Sequence, residues 1–239
     1  ASLAGGGGLD SFGTTLVDRE FGATSYALQY IVARPSNILR ACAGDQIDEY
    51  LIPTIKGERV DCMAMSEPDA GSDVRGMKCS AVRDGDDYVI NGVKNWVTNG
   101  DHADTIILMA MTNPSQGVRG ISAFLVPTNA PGYLVARLED KMGQHSSDTA
   151  QILFENCLVS AANLIGEEGQ GLKIALSGLE GGRIGIAAQS VGMLIAARAV
   201  QSVGGAMLFP SGESASVVEV LPRLVGAPAR HVNIGAVRE

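Results

Sequence analysis

The chain predicts an α+β protein: N-terminal helices, a central antiparallel β domain and a partial C-terminal helical domain. Three observations carry this. Apolar residues fall at helical spacing before residue 60, short apolar runs alternate with turn residues from 60 to about 160, and helical spacing returns from Gly169.

The first helix is expected within Thr14–Ile31, with Leu16, Val17, Phe21, Leu28, Tyr30 and Ile31 as its apolar face and a break at Gly22. A second runs from an N-cap at Asp45 through Ile47 and Tyr50 to Leu51, and Pro53 stops it. The central region carries turn signals at Asp84-Gly-Asp-Asp, Asn91-Gly, Asn113-Pro-Ser-Gln-Gly and Ala130-Pro-Gly. Between them lie the apolar runs Tyr88-Val-Ile, Thr105–Met111, Ile121–Val126 and Ala150–Phe154, which predict roughly six to eight strands. Beyond Gly169, Ile174, Leu176, Leu179, Ile184, Ile186, Val191, Leu194 and Ile195 predict helix. The expected division is therefore 1–59, 60–165 and 166–239.

Composition narrows the function. At 239 residues the chain can bury a good core, and its net charge of −8 with no Lys/Arg run argues against general nucleic-acid binding. Cys42, Cys62, Cys79 and Cys157 show no metal-ligand spacing, so free thiols in a reducing compartment are expected and no metal. No run of about 18 apolar residues predicts a membrane span. Ala1–Gly8 has neither a basic signal-peptide start nor an Arg-rich transit pattern, so no leader is expected there.

Two segments carry chemistry. In Met63-Ala-Met-Ser-Glu-Pro-Asp-Ala-Gly-Ser72, Pro68 biases Glu67 toward extended backbone, and Gly71 is free to take positive φ close to a ligand. Such a loop offers N–H groups and hydroxyls that suit a polar ring edge or a phosphate. In Asn91-Gly-Val-Lys-Asn-Trp-Val-Thr-Asn-Gly100, an Asn-Gly hairpin turn leads into a strand holding the only tryptophan. Trp96 and Thr98 are two apart, which in a regular strand places indole and hydroxyl on one face, toward the Ser66–Ser72 loop. A surface turn and a core tryptophan are the plain alternatives. His102 and His145 have no partner at nucleophile or metal spacing and read as solvated loop residues, while Met109 and Met111 read as core.

In order and spacing these segments resemble the acyl-CoA dehydrogenase family. The likeness continues through Tyr50–Glu58, Gly120–Phe124, Glu139–Thr149, Asn163–Gly171 and Gly182-Arg-Ile-Gly-Ile-Ala-Ala-Gln189, covering about four fifths of the chain. It implies FAD as cofactor, with Met63, Met65, Ser66, Gly71, Ser72, Trp96 and Thr98 at the flavin. It further implies Ser72, Ser147, Glu180 and Arg183 at an acyl-CoA substrate; the bland alternative for Glu180 and Arg183 is an exposed intrahelical ion pair. An electron-transfer flavoprotein as acceptor, a homo-oligomer, and a bacterial cytoplasmic or mitochondrial matrix location are also implied.

The family's reaction removes an α proton with a glutamate while hydride leaves the β carbon for the flavin. A Tyr-Glu-Gly-Thr motif holding that base is not found here, and the alternative helix position is Gly182. None of the tail carboxylates Glu213, Glu219 and Glu239 is assigned as the base. The expectation is an FAD-dependent acyl-CoA dehydrogenase or a truncated form of one, with the catalytic residue unknown. The alternatives are a catalytically incompetent flavin- or CoA-binding homologue with an association role, or a related flavin oxidase or monooxygenase.

Overall fold

The structure, a computed structural model, describes residues 8–24 and 35–208. Helix α1 spans Ser11–Thr24, α2 spans Ile52–Lys56, and the long α3 spans Gly171–Leu208. Eight strands lie between α2 and α3: β1 Asp61–Ala64, β2 Ser80–Asp84, β3 Asp87–Thr98, β4 Thr105–Met111, β5 Ile121–Pro127, β6 Tyr133–Leu138, β7 Thr149–Ser160 and β8 Leu164–Ile165. They form one sheet in the order β6-β7-β3-β2-β4-β5-β8, with β1 added along β4.

The α+β class and the strand content follow the sequence, but the sheet is mixed. β1 pairs with β4 in parallel from Asp61↔Thr105 to Ala64↔Leu108, and β2 meets β4 in parallel at Ser80↔Met111. The physical reason is connection length. β1 and β4 are joined through β2 and β3 rather than by a tight hairpin, so nothing forces them antiparallel.

Every residue of β4 is buried, because this strand has core on both faces. One face, with Ile106, Leu108 and Ala110, packs in the interior with Phe124, Tyr88, Ile152 and Phe154. The other, with Ile107, Met109 and Met111, meets Ile38, Leu39, Tyr50, Ile174 and Ala175 from the helical segments. Two-sided burial explains the unbroken apolar run in this strand and the core placement of Met109 and Met111. Each such side chain contributes ~1.5–3 kcal/mol relative to exposure.

Four local expectations need correction. Pro53 does not stop the second helix. A π turn over Ile47–Leu51 precedes α2, Pro53 sits in its first turn where no N–H is needed, and the helix ends at Gly57 with φ 75°. Asp45 is not the observed cap. Asn91-Gly92 is not a hairpin turn but an irregularity inside β3, where the register against β7 shifts between Ile90 and Gly92. At Gly92 φ is 148° and an added Cβ would lie 2.6 Å from Cys79 Cα, so the glycine serves close strand approach. The hairpin turn is at Gly85-Asp86, between the paired Asp84 and Asp87.

Gly22 does not break α1. It is where α1 touches α3: a Cβ there would overlap the Gln189 backbone carbonyl, while Gly185 and Gly192 of α3 face Asp18 and the Arg19 carbonyl in the same way. The expected helical stretch 25–31 and the tail 209–239, with Glu213, Glu219 and Glu239, lie outside the described residues. Among those described, no helix is long and apolar enough to cross a membrane.

Candidate functional site

The candidate site forms where the loop after β1 lies against the end of β3. Glu67 and Ala70 exchange two backbone hydrogen bonds of 2.8 and 3.2 Å around Pro68-Asp69, which closes the turn that the Pro-Asp pair favours. Asp73 then caps a short 3-10 turn by accepting from Arg75 N–H at 3.0 Å. Gly71 keeps an ordinary φ with no heavy atom near an added Cβ, so it and Ser72 present open backbone without the positive φ that glycine allows.

β3 reaches this loop with two successive residues. Lys94 Nζ donates to the Met65 carbonyl at 3.1 Å and to Glu67 Oε1 at 2.7 Å, and Asn95 N–H donates to the Ser66 carbonyl at 2.8 Å. Glu67 also accepts from Lys78 N–H at 2.6 Å and Cys79 N–H at 3.1 Å. Lys94 is 0% exposed and Glu67 is buried, so the ammonium and carboxylate exist there only because each is paired and hydrogen-bonded.

A β-bulge follows at once. Lys94 pairs with Ile152 and Val97 with Ala150, so Asn95 and Trp96 together oppose Gln151, whose amide donates to Asn95 Oδ1 at 2.8 Å. Trp96 has φ 60°, rare for a bulky residue, and is 60% exposed. The two-residue spacing of Trp96 and Thr98 therefore does not by itself fix a common face, since the bulge interrupts the alternation. What the structure gives is adjacency: the exposed indole follows directly on the residue bonded to Ser66, and half-buried Thr98 lies two residues further, paired with Thr149.

Through that pairing the 139–149 loop joins the same end of the sheet. Lys141 Nζ donates to the Ser147 carbonyl and, at 2.8 Å, to Thr149 Oγ1; Ser147 is buried and Ser146 exposed. Asp148 Oδ2 accepts from Asp101 N–H at 3.2 Å, and exposed His145 bonds the Lys141 carbonyl through its ring nitrogen at 2.5 Å. His102 is exposed beside Asp101.

The expected substrate residues are not all gathered here. Met63, Met65, Ser66, Trp96, Thr98 and Ser147 lie on connected segments. Arg183 is exposed on α3 and lines a groove against α1 with Thr15, Ile184, Ala187 and Val191. Glu180 lies on the same helix, but its side chain is outside the described residues. Gly182 is exposed on α3 with open space around it.

Burial sets the protonation around β1. It lifts the Asp61 carboxyl to about 6, although Ser36 N–H donates to it at 3.2 Å. It also raises the thiols of Cys42 and Cys157 to about 11 and Cys79 to about 12, so they stay protonated and unreactive near neutrality. Sequence reasoning missed Lys94, Glu67 and Lys141. For Lys94 a signal existed: a single cation inside an otherwise inward-facing strand pattern, with an acidic residue in the neighbouring loop.

Residues 62–157 match the acyl-CoA dehydrogenase middle domain. The short-chain specific acyl-CoA dehydrogenase of Clostridium acetobutylicum is 44% identical over 149 residues, 62% of this chain and 39% of that protein. The acryloyl-CoA reductase (NADH) of Anaerotignum propionicum is 37% identical over 195 residues, 79% of this chain and 50% of that one. Among solved structures, butyryl-CoA dehydrogenase from Megasphaera elsdenii aligns at TM-score 0.85 and 32% identity, covering 94% of this chain and 62% of that chain. A chain from the electron transferring flavoprotein structure of Acidaminococcus fermentans aligns at 0.83 and 38%, covering 94% and 60%. PigA with FAD and proline aligns at 0.82 and 25%, covering 94% and 63%. The chain spans half or less of the length of these curated relatives, and over that span it belongs to the acyl-CoA dehydrogenase family.

Proposed function

We propose that this chain carries the flavin-facing part of an FAD-dependent acyl-CoA dehydrogenase acting by α,β-dehydrogenation of an acyl-CoA thioester. The observation that carries the reading is the Met63–Ser72 loop hydrogen-bonded side by side with a bulge that presents an exposed tryptophan. An aromatic surface, the hydroxyls of Ser66 and Thr98, and the open backbone at Gly71-Ser72 match the chemistry of a planar heteroaromatic ring with an attached pyrophosphate. Bound FAD supplies the hydride acceptor.

On this reading Trp96 covers one side of the ring, while Ser66, Thr98 and backbone at Met63 and Met65 bond its polar edge. Gly71 and Ser72 hold phosphate, and Ser72, Ser147, Glu180 and Arg183 face the acyl-CoA. Residues 60–165 form the cofactor-facing unit, flanked by 1–59 and 166–239, whose described parts are largely helical. The apolar side chains exposed on α3, among them Leu176, Ile184 and Leu194, support assembly with further copies of the chain. An electron-transfer flavoprotein takes the electrons, in the bacterial cytoplasm or the mitochondrial matrix according to source.

One observation favours a second reading, a flavin- and CoA-binding protein that does not turn over. Removing the weakly acidic α proton needs a carboxylate within hydrogen-bond reach, and the helix position that carries it in part of the family is here Gly182. The test is FAD titration followed by anaerobic addition of short- and medium-chain acyl-CoA. Yellow protein with quenched Trp96 emission supports the flavin site; no binding overturns it. Bleaching in the chain as it stands supports the dehydrogenase, and bleaching only in Gly182→Glu supports the second reading.

A further inference from the structure

The geometry points to the buried Lys94–Glu67 ion pair as the positioning device of the candidate flavin site, holding the Ser66 backbone and the Trp96 bulge in one register. This rests on the flavin reading above and adds the residues that set the site's shape. Neither side chain reaches the exposed surface, so their action is through the backbone they hold.

The peptide between Met65 and Ser66 shows how. All described peptides are trans, so a carbonyl and the following N–H point in opposite directions. Lys94 draws the Met65 carbonyl toward itself and thereby turns the Ser66 N–H away from the buried ammonium. Among the described residues no group accepts that N–H, whereas the next carbonyl is taken by Asn95 N–H at 2.8 Å. The Ser66 N–H is thus a directed donor left for an external acceptor, such as a ring carbonyl or nitrogen.

Glu67 holds the other side. Its carboxylate collects three donors, Lys94 Nζ and the N–H groups of Lys78 and Cys79, and so ties the loop both to β3 and to the entry of β2. Lys94 is two residues before Trp96, at the last regular pair before the bulge. Loop and bulge are therefore anchored at one point, and moving Lys94 moves both surfaces that a flavin would touch.

The test uses the full chain and FAD itself, with the emission of Trp96, the only tryptophan, as the probe. Unfolding midpoint and FAD dissociation constant are measured for wild type, Lys94→Met, Glu67→Gln and the double variant Lys94→Met/Glu67→Gln. The double variant removes the unpaired buried charge, so its midpoint returns toward wild type even where a single variant fails to fold. Positioning predicts that its FAD affinity stays tenfold or more below wild type and that its Trp96 emission is shifted. A double variant with both wild-type affinity and wild-type emission reduces the pair to a structural role and overturns the proposal. Should wild type bind no FAD, the flavin reading fails on its own. Positioning is then read from amide exchange: faster exchange at Asn95 and Cys79 in the double variant supports it, and unchanged exchange overturns it.

Discussion

Two contacts in this molecule are closed by opposite means. At the end of β3, loop and strand are held together by side chains added for the purpose: Lys94 and Glu67 meet in the dark interior with every charge partnered. Between α1 and α3, the helices approach by leaving side chains out, with Gly22 against Gln189 and Gly192 against Arg19. The first contact is directional and sensitive to chemistry. The second is steric and sensitive to volume.

The sharpest way to break the comparison is to remove one charge. Lys94→Met leaves the Glu67 carboxylate buried with only backbone donors, and a loss of ~3–5 kcal/mol is expected in urea unfolding. A loss below about 1 kcal/mol would mean that water reaches the carboxylate and the pair is not truly buried.

On the helical side, Gly22→Ala adds a single methyl against the Gln189 carbonyl. Overpacking costs ~1–3 kcal/mol, more than the ~0.8–1 kcal/mol that alanine gains over glycine in a helix. A lowered denaturation midpoint is expected; a raised one would show that α1 and α3 separate freely.

A pH scan probes the join between the N-terminal segment and the sheet, where Asp61 accepts from Ser36 N–H. Burial raises this carboxyl to about 6, above its unfolded value, so the folded state binds the proton more tightly. Its contribution is present in full below about pH 4 and is lost as pH rises through about 6. Asp61→Asn is expected to flatten the stability profile between those limits, and an unchanged slope would remove the assignment.

The smallest effect is expected where a glycine of α3 touches nothing. Gly182→Ala meets open space, and up to about 1 kcal/mol of stabilisation is expected from helix propensity alone. The contrast in sign with Gly22→Ala is the measurement of interest.

Much of the fold was legible in the chain. The apolar runs of β4 and β5 announced strands, and Met109 and Met111 read correctly as core, while the burial of β4 on both faces came with the structure. The Pro68-Asp69 turn followed from local chemistry. Pro53 and Gly22 were misread because both are usually punctuation, whereas here one sits in a first helical turn and the other lets a distant helix approach. Asn91-Gly92 was misread for the same reason: the glycine answers to Cys79 on the neighbouring strand.

By itself the sequence determined the element types, the strand-rich centre and the segments that gather as a candidate site, since these depend on periodicity, turn residues and motif order within a few residues of each other. Only the tertiary structure decided that β1 and β2 meet β4 in parallel, that the bulge at Asn95-Trp96 exposes the indole, and that Lys94 spans 27 residues to Glu67. Those outcomes depend on which atoms meet across the sheet. A buried charge finds its partner by exclusion from water rather than by proximity along the chain.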